Sequence, residues 1–295
     1  MEFRILGPLE AVGTGGVVSL GGRRQRALLA VLLLHRNELV TVDRLADELW
    51  GERLPITAAK TVQVYVSRLR SELDQGRIET SGHAYVLRLE EGELDLDRFA
   101  VLVERPQGEE PLAAARTLRE ALSLFRGEPL GDLGYERWAQ AEVARLRETR
   151  LAALEQCLEA ELALGLHRAL VAELEVLVRE HPLRERLRGQ LMLALYRSGR
   201  QAEALENYQH ARRVLTDELG LEPTEALKDL QRAILAHDPS LEPAENRRNR
   251  SRSRRAAAEW EHRRRLRRTR ARACRTARRP GRGTRRAWMP LSDQR

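Results

Sequence analysis

The sequence predicts an α+β domain at the N-terminus, an all-α domain behind it and an arginine-rich tail. Short apolar runs separated by glycine clusters alternate with helical patterns up to residue 95, whereas residues 109–238 are helical in pattern almost throughout. Residues 244–295 hold 20 arginines against 4 acidic residues and show little apolar periodicity. We therefore predict domains over residues 1–95 and 96–240 and disorder over 241–295.

The net charge of the chain combines two opposite contributions. The formal charge is +8, but residues 1–243 contain 32 Lys and Arg against 40 Asp and Glu. The folded part is therefore acidic, and the high isoelectric point comes from the tail. Any affinity of the folded part for nucleic acid must come from a local basic patch.

Several protein classes find no support in the sequence. No uninterrupted apolar run of 18 residues occurs, and the N-terminus lacks the pattern of a signal peptide, so we expect a cytoplasmic protein without membrane contact. Two cysteines are too few for a zinc site or a disulfide framework. A phosphate-binding Gly-x4-Gly-Lys loop is also missing. We predict no enzyme activity, no metal and no cofactor.

Three strands and a helix are predicted at the start of the chain. Residues 3–6, 9–12 and 17–20 read as strands, the last two separated by the turn cluster at residues 13–16. From Arg23 to His35 the pattern becomes helical and is apolar on most sides, which predicts a helix at the centre of a small core. The arginines at residues 23, 24 and 26 read as a solvated helix start.

Two further helices and a hairpin follow. Thr41 is predicted to cap a second helix that ends at Gly51, and Thr57 to cap a third that runs to about Leu73. The third helix has an apolar stripe at i, i+4, i+7 and i+11, formed by Val62, Val66, Leu69 and Leu73. Residues 77–88 then form a hairpin. Helix, turn, helix and hairpin, in that order, predict a winged helix-turn-helix domain.

The face of the third helix opposite the stripe has the chemistry needed in a major groove. Arg68 can bind guanine or a phosphate, and Val64 can contact a thymine methyl group. Lys60, Arg70 and Arg77 suit phosphates, which position a protein without reading sequence. The pattern alone leaves open a second interpretation, in which this is simply a solvated helix face.

A family resemblance favours DNA binding. The segment TVQVYVSRLR (residues 61–70) and the wing IETSGHAYVL (residues 78–87) resemble the OmpR/PhoB-type winged helix. The segments LDLDRF (94–99), LFRGEPL (124–130), HPLRE (181–185), ALYRSGRQAEAL (194–205) and DELGLEP (217–223) resemble the bacterial transcriptional activator domain. Together they resemble the SARP/AfsR family of antibiotic regulators, over roughly residues 1–238. The predicted DNA-binding residues are Lys60, Thr61, Gln63, Val64, Ser67, Arg68, Arg70, Arg77 and His83.

The resemblance implies an activator of secondary-metabolite genes. Such a protein binds direct repeats in promoter DNA, as a homodimer in one arrangement, and recruits RNA polymerase. In the OmpR-type family the loop between the second and third helices can touch polymerase, which makes Glu52 and Arg53 tentative contacts. Alternatively this is an ordinary loop whose Leu54 or Ile56 enters the core. A different function also stays open, that of a helical adaptor acting mainly through protein contacts.

The helical domain has a repeat signal of its own. Gly165 and Gly199 are 34 residues apart, the tetratricopeptide period, and each lies between two predicted helices, 151–164 and 169–180 for the first, 187–197 and 202–219 for the second. We therefore predict a tetratricopeptide-like stack, with a plain helical bundle as the alternative. The tail reads either as a nonspecific nucleic-acid arm or as out-of-frame coding from GC-rich DNA, and its arginine and alanine enrichment favours the second.

Overall fold

Two small antiparallel sheets flank three helices in the N-terminal part of the protein. The computed structural model describes residues 1–106 and 108–242. The first sheet has the order β1-β2-β3, and the second has the order β4-β6-β5. The elements are β1 (Glu2–Arg4), β2 (Glu10–Gly13), β3 (Gly16–Val17), α1 (Arg23–Leu34), β4 (Val40–Thr41), α2 (Val42–Trp50), α3 (Ala58–Glu72), β5 (Ile78–Ser81) and β6 (Ala84–Leu87).

Seven further helices follow. They are α4 (Asp95–Glu104), α5 (Pro111–Ser123), α6 (Arg137–Ala163), α7 (His167–Glu180), α8 (Glu185–Arg197), α9 (Gln201–Leu219) and α10 (Glu225–Leu235). Consecutive helices pack as pairs, notably α5 with α6, α7 with α8 and α8 with α9. The predicted fold class, a winged helix-turn-helix followed by a helical domain, is confirmed. The predicted disorder and origin of the tail concern residues that lie outside those described, apart from Leu241 and Glu242.

The helix signals were read correctly in most places. Thr41 caps α2, since its hydroxyl accepts a hydrogen bond from the Arg44 backbone N–H at 3.2 Å. The wing occupies its predicted place, with Thr80 opposite Tyr85 in the β5–β6 ladder. The capping prediction for Thr57 is wrong. Its side chain accepts no capping bond, and its carbonyl instead accepts from the Thr61 hydroxyl at 2.9 Å.

The first strand ends earlier than predicted, at Arg4, and the reason is a buried carboxylate. Asp95 is 1% exposed, and its two oxygens accept from the backbone N–H groups of Ile5 and Leu6 at 2.9–3.0 Å. The carbonyl groups of Ile5 and Leu6 accept from the N–H groups of Leu130 and Arg126, both at 2.8 Å. These four groups are therefore taken by the helical part, and the strand cannot continue.

The hydrophobic core crosses the predicted boundary at residues 95/96. One cluster of buried side chains runs from the first sheet through α1–α3 to Phe99, Phe125 and the first half of α6, whereas a second cluster joins the end of α6 to α7–α10. Contacts place residues 1–241 in one unit. The division at 95/96 stays a prediction.

The helix α6 is much longer than the predicted 151–164, because its first half packs along α5 as well as continuing into the repeat-like part. The predicted glycine turns are present. Gly165 and Gly199 have φ of +83° and +82°, a conformation that side chains with a Cβ rarely adopt, and each lies just after a helix. Tight turns at these points let α6 reverse into α7 and α8 into α9.

We predict that Asp95→Ala destabilises the fold by roughly 2–4 kcal/mol, because two buried backbone N–H groups lose their acceptors and each such loss costs about 1–3 kcal/mol. Urea denaturation at pH 7 measures the effect. The control is Asp74→Ala, whose side chain is 57% exposed. A loss of less than about 1 kcal/mol for Asp95→Ala, or equal losses in the two variants, would show that the anchor is dispensable.

Candidate nucleic-acid interface

The helix α3 has one buried and one exposed side, as its sequence period requires. Val62, Val66 and Leu69 are at most 1% exposed and face α1 and α2, and Leu73, just after the helix, is 5% exposed. This packing makes α3 a rigid support for the residues on its other side.

Five of the predicted DNA-binding residues form one exposed row along α3. The row follows i, i+3, i+4, i+7 and i+8 spacing and consists of Lys60, Gln63, Val64, Ser67 and Arg68. Val64 is 42% exposed although it is apolar. Within the described part of the chain, the Lys60 ammonium and the Arg68 guanidinium make no hydrogen bond or ion pair. The row thus offers two unpaired cations, two polar side chains and an apolar contact.

Arg70 holds the wing to α3. Its Nε donates to the Ile78 carbonyl at 2.9 Å and its Nη2 donates to the Thr80 hydroxyl at 2.6 Å. The guanidinium also lies 5.8 Å from the centroid of the Tyr85 ring. The hydrogen bonds and the ring contact orient β5 and β6 beside the exposed row. The phosphate role predicted for Arg70 is untested, and the geometry gives it a supporting role.

Arg77 is engaged elsewhere. It forms a two-pronged ion pair with Glu93, with Nη2 2.6 Å from Oε1, and only 18% of its side chain is exposed. The hydrogen bond to Glu93 raises the pKa of Arg77 above its ordinary value. A phosphate would have to displace a carboxylate that already satisfies this guanidinium, so the prediction for Arg77 has no support in the geometry.

The other two predicted residues lie at the edges of the surface. Thr61 is half-buried, and its hydroxyl bonds within the helix to Thr57. His83 lies in the turn at the tip of the wing, 64% exposed, with Nε2 3.7 Å from Asp43 Oδ1. It stays a candidate because the wing tip projects beside α3.

The arginines at the start of α1 have more specific roles than a solvated helix start. Arg26 makes two hydrogen bonds to the Asp132 carboxylate, at 3.0 and 2.9 Å, and Arg23 lies 2.9 Å from Glu136. Both tie α1 to the helical part. Arg24 instead lies over the Trp50 ring at 5.7 Å, and it lines a cleft of about 580 Å³ together with Arg68. Sequence reasoning did not place Arg24 near the α3 surface, although the arginine cluster was the available signal.

The loop between α2 and α3 is exposed, as a contact surface requires. Its Gly51–Arg53 segment forms a 3-10 turn, and Glu52 is 91% exposed with one carboxylate oxygen 3.8 Å from Arg137. Ile56 is fully exposed and Leu54 is 52% exposed. The alternative interpretation, in which Leu54 or Ile56 enters the core, is wrong.

Comparison with known proteins identifies the family. Residues 17–87 match the family described as transcriptional regulatory protein, C terminal, and residues 94–235 match the bacterial transcriptional activator domain. The chain is 37% identical over 258 residues to the regulatory protein DnrI of Streptomyces peucetius, covering 82% of this chain and 94% of DnrI. The chain belongs to the SARP family of transcriptional regulators. The resemblance derived from the sequence motifs is therefore confirmed.

Other SARP-type relatives differ in length. The regulatory protein AfsR of Streptomyces coelicolor is 46% identical over 246 residues, yet this chain spans only about a quarter of its length, 25%. A solved structure of Mycobacterium tuberculosis EmbR in complex with a low affinity phosphopeptide has a TM-score of 0.76 and 35% identity, covering 81% of this chain and 65% of that chain. Within residues 1–106 and 108–242, no helix is long and apolar enough to cross a membrane.

We predict that Arg70→Ala destabilises the protein by about 1–2 kcal/mol, because the wing loses two charge-assisted hydrogen bonds to α3. Arg68→Ala is the matched control, since its side chain is exposed and makes no hydrogen bond to the described residues, and it should change stability by less than about 0.5 kcal/mol. Urea denaturation of both variants tests this. If the two midpoints shift equally, Arg70 does not hold the wing.

Proposed function

We propose that this regulator binds specific promoter DNA through α3 and its wing and activates secondary-metabolite genes. The observation that carries the proposal is the exposed row on α3. Its Lys60 and Arg68 are unpaired cations in a folded part that is acidic as a whole, and its Val64 is an exposed apolar residue. A surface that served only solubility would not require this combination beside a wing.

The residues of the row suit different tasks in a major groove. Arg68 can bind the O6 and N7 atoms of a guanine, and Val64 can pack on a thymine methyl group. Gln63 and Ser67 lie between them and can donate to or accept from base edges. Lys60, in the first turn of α3, suits a phosphate. Thr61 and His83 are assigned to the edges of the interface, with His83 at the wing tip.

Membership of the SARP family supports the arrangement on DNA. We propose direct repeats as the binding site, each contacted by one copy of the chain, with a homodimer forming on DNA. The regulator would then act in the cytoplasm, where promoter DNA and RNA polymerase are found. These statements about the whole protein rest on relatives, several of which are longer than this chain.

The α2–α3 loop is the proposed contact with RNA polymerase. It presents charged side chains at Glu52 and Arg53 and apolar ones at Leu54 and Ile56, all of them exposed. Charged groups around an exposed apolar pair are typical of a protein contact surface. The loop also lies beside the start of α6, through the pair between Glu52 and Arg137.

Arg68→Ala tests the proposed base contact. We expect affinity for the cognate duplex to fall by roughly 1–3 kcal/mol and discrimination at one base pair to be lost, because a bidentate contact to a base edge disappears. Titrations use the cognate duplex and duplexes mismatched one position at a time. Arg213→Ala, an exposed arginine on α9, is the control and should bind like the unmodified protein. Unchanged selectivity in Arg68→Ala would remove Arg68 from the reading surface.

A double change of Glu52 and Arg53 to Ala tests the loop. We expect promoter binding to stay intact and transcription by purified polymerase to fall several-fold, because the loop lies outside the DNA-facing row. Arg137→Ala is the matched control. It breaks the ion pair to Glu52 and leaves the charges of the loop in place, and Arg137 is itself 90% exposed. If binding and transcription fall together, or neither changes, the loop is not a separate activation surface.

A further inference from the structure

An apolar cavity lies in the helical domain, between α6, α8 and α10. Its volume is about 620 Å³, within the range of sites that bind small organic molecules. Leu162, Leu193, Leu227 and Leu230 supply much of its wall. Gly189 opens the space on the α8 side. A Cβ added there would lie 3.6 Å from Leu227 and 3.7 Å from Leu230, so any larger side chain would project into the cavity.

The charged residues in the wall already have partners. The Arg186 guanidinium lies 2.6 Å from the Glu159 carboxylate, and Glu185 accepts from both the N–H and the hydroxyl of Thr224 at 2.8 Å. Arg197 donates to the carbonyl groups of Leu162 and Leu241, both at 2.7 Å. A charged ligand would lose its hydration without gaining a free counter-charge, so these pairs favour a neutral one.

Gln190 is the polar residue of the wall that is not fully paired. It is 8% exposed, and its amide Nε2 donates to the Glu155 carbonyl at 2.7 Å, which fixes the orientation of the amide. Its Oε1 is buried and has no hydrogen-bond partner within the described part of the chain. Buried carbonyl oxygens are normally paired, so an acceptor is left for a donor group on a molecule that enters the cavity.

We propose that this cavity is an effector site for a neutral, largely apolar organic molecule that carries one hydrogen-bond donor. Such a molecule would pack between the leucines of α6, α8 and α10 and pair its donor with Gln190. Binding would join α10 to α6 and α8. The site lies among the residues of the second core cluster, so the inference does not depend on the proposed DNA contacts of α3.

The probe for this site is N-phenyl-1-naphthylamine, a neutral apolar fluorophore with a single N–H donor. We expect saturable binding to the full chain, seen as increased and blue-shifted fluorescence. The isosteric ether 1-phenoxynaphthalene lacks the donor and should compete about three- to tenfold more weakly, the usual effect of one hydrogen bond. Gln190→Met should remove this preference for the amine, because it removes the acceptor.

Two variants fill the cavity from opposite sides. Gly189→Leu fills it from α8, and Ala163→Trp fills it from α6, at a position that is exposed and therefore tolerates a large side chain. Each should weaken probe binding at least tenfold, with circular dichroism verifying the fold. Ala113→Trp, at an exposed position of α5, is the control and should bind like the parent. Absence of saturable binding, binding unaffected by both fillings, or equal affinity for amine and ether would overturn the proposal.

Discussion

The backbone at Ile5 and Leu6 is the point on which the arrangement of the two parts depends. Its N–H groups are bound by the buried Asp95 carboxylate, and its carbonyl groups are bound by the N–H groups of Arg126 and Leu130. A buried charge is costly unless it is hydrogen-bonded, and burial raises the pKa of Asp95 above its ordinary value even with these bonds. The first sheet is thereby held against α4 and the segment after α5. A short stretch of chain thus belongs to the cores of both parts.

The orientation of the α3 surface follows from this joint. The helix α1, on which α3 packs, is tied by Arg26 to Asp132 and by Arg23 to Glu136 at the start of the helical part. These pairs consume arginines that the sequence shows as a basic cluster. The acidic character of the folded part and the presence of a cationic row on α3 are therefore compatible, since internal carboxylates take up many of the other cations and leave Lys60 and Arg68 free.

The helical domain combines two physical environments. Its first half shares the core of the winged helix and positions it, and its second half has a separate cluster of buried side chains. The proposed effector cavity lies in the second environment, where the helices α8 and α10 meet around Gly189. Stack-like helical domains commonly bury a shared core between neighbouring helices and leave concave surfaces. Here the concave surface is enclosed enough to suit a small molecule.

Local physics alone determined much of this protein. A 3.6-residue period gives α3 a buried stripe and an exposed row, and the residues of that row were identified because a helix has only two such sides. The turn glycines at 165 and 199 and the cap at Thr41 are likewise signals between near neighbours in the chain. Only the tertiary structure decided which charges stay free. A guanidinium satisfies a phosphate, a carbonyl or a carboxylate equally well, and the sequence does not indicate which acceptor lies within reach. Arg70 bonds the wing and Arg77 bonds Glu93, because folding brings those acceptors within 3 Å.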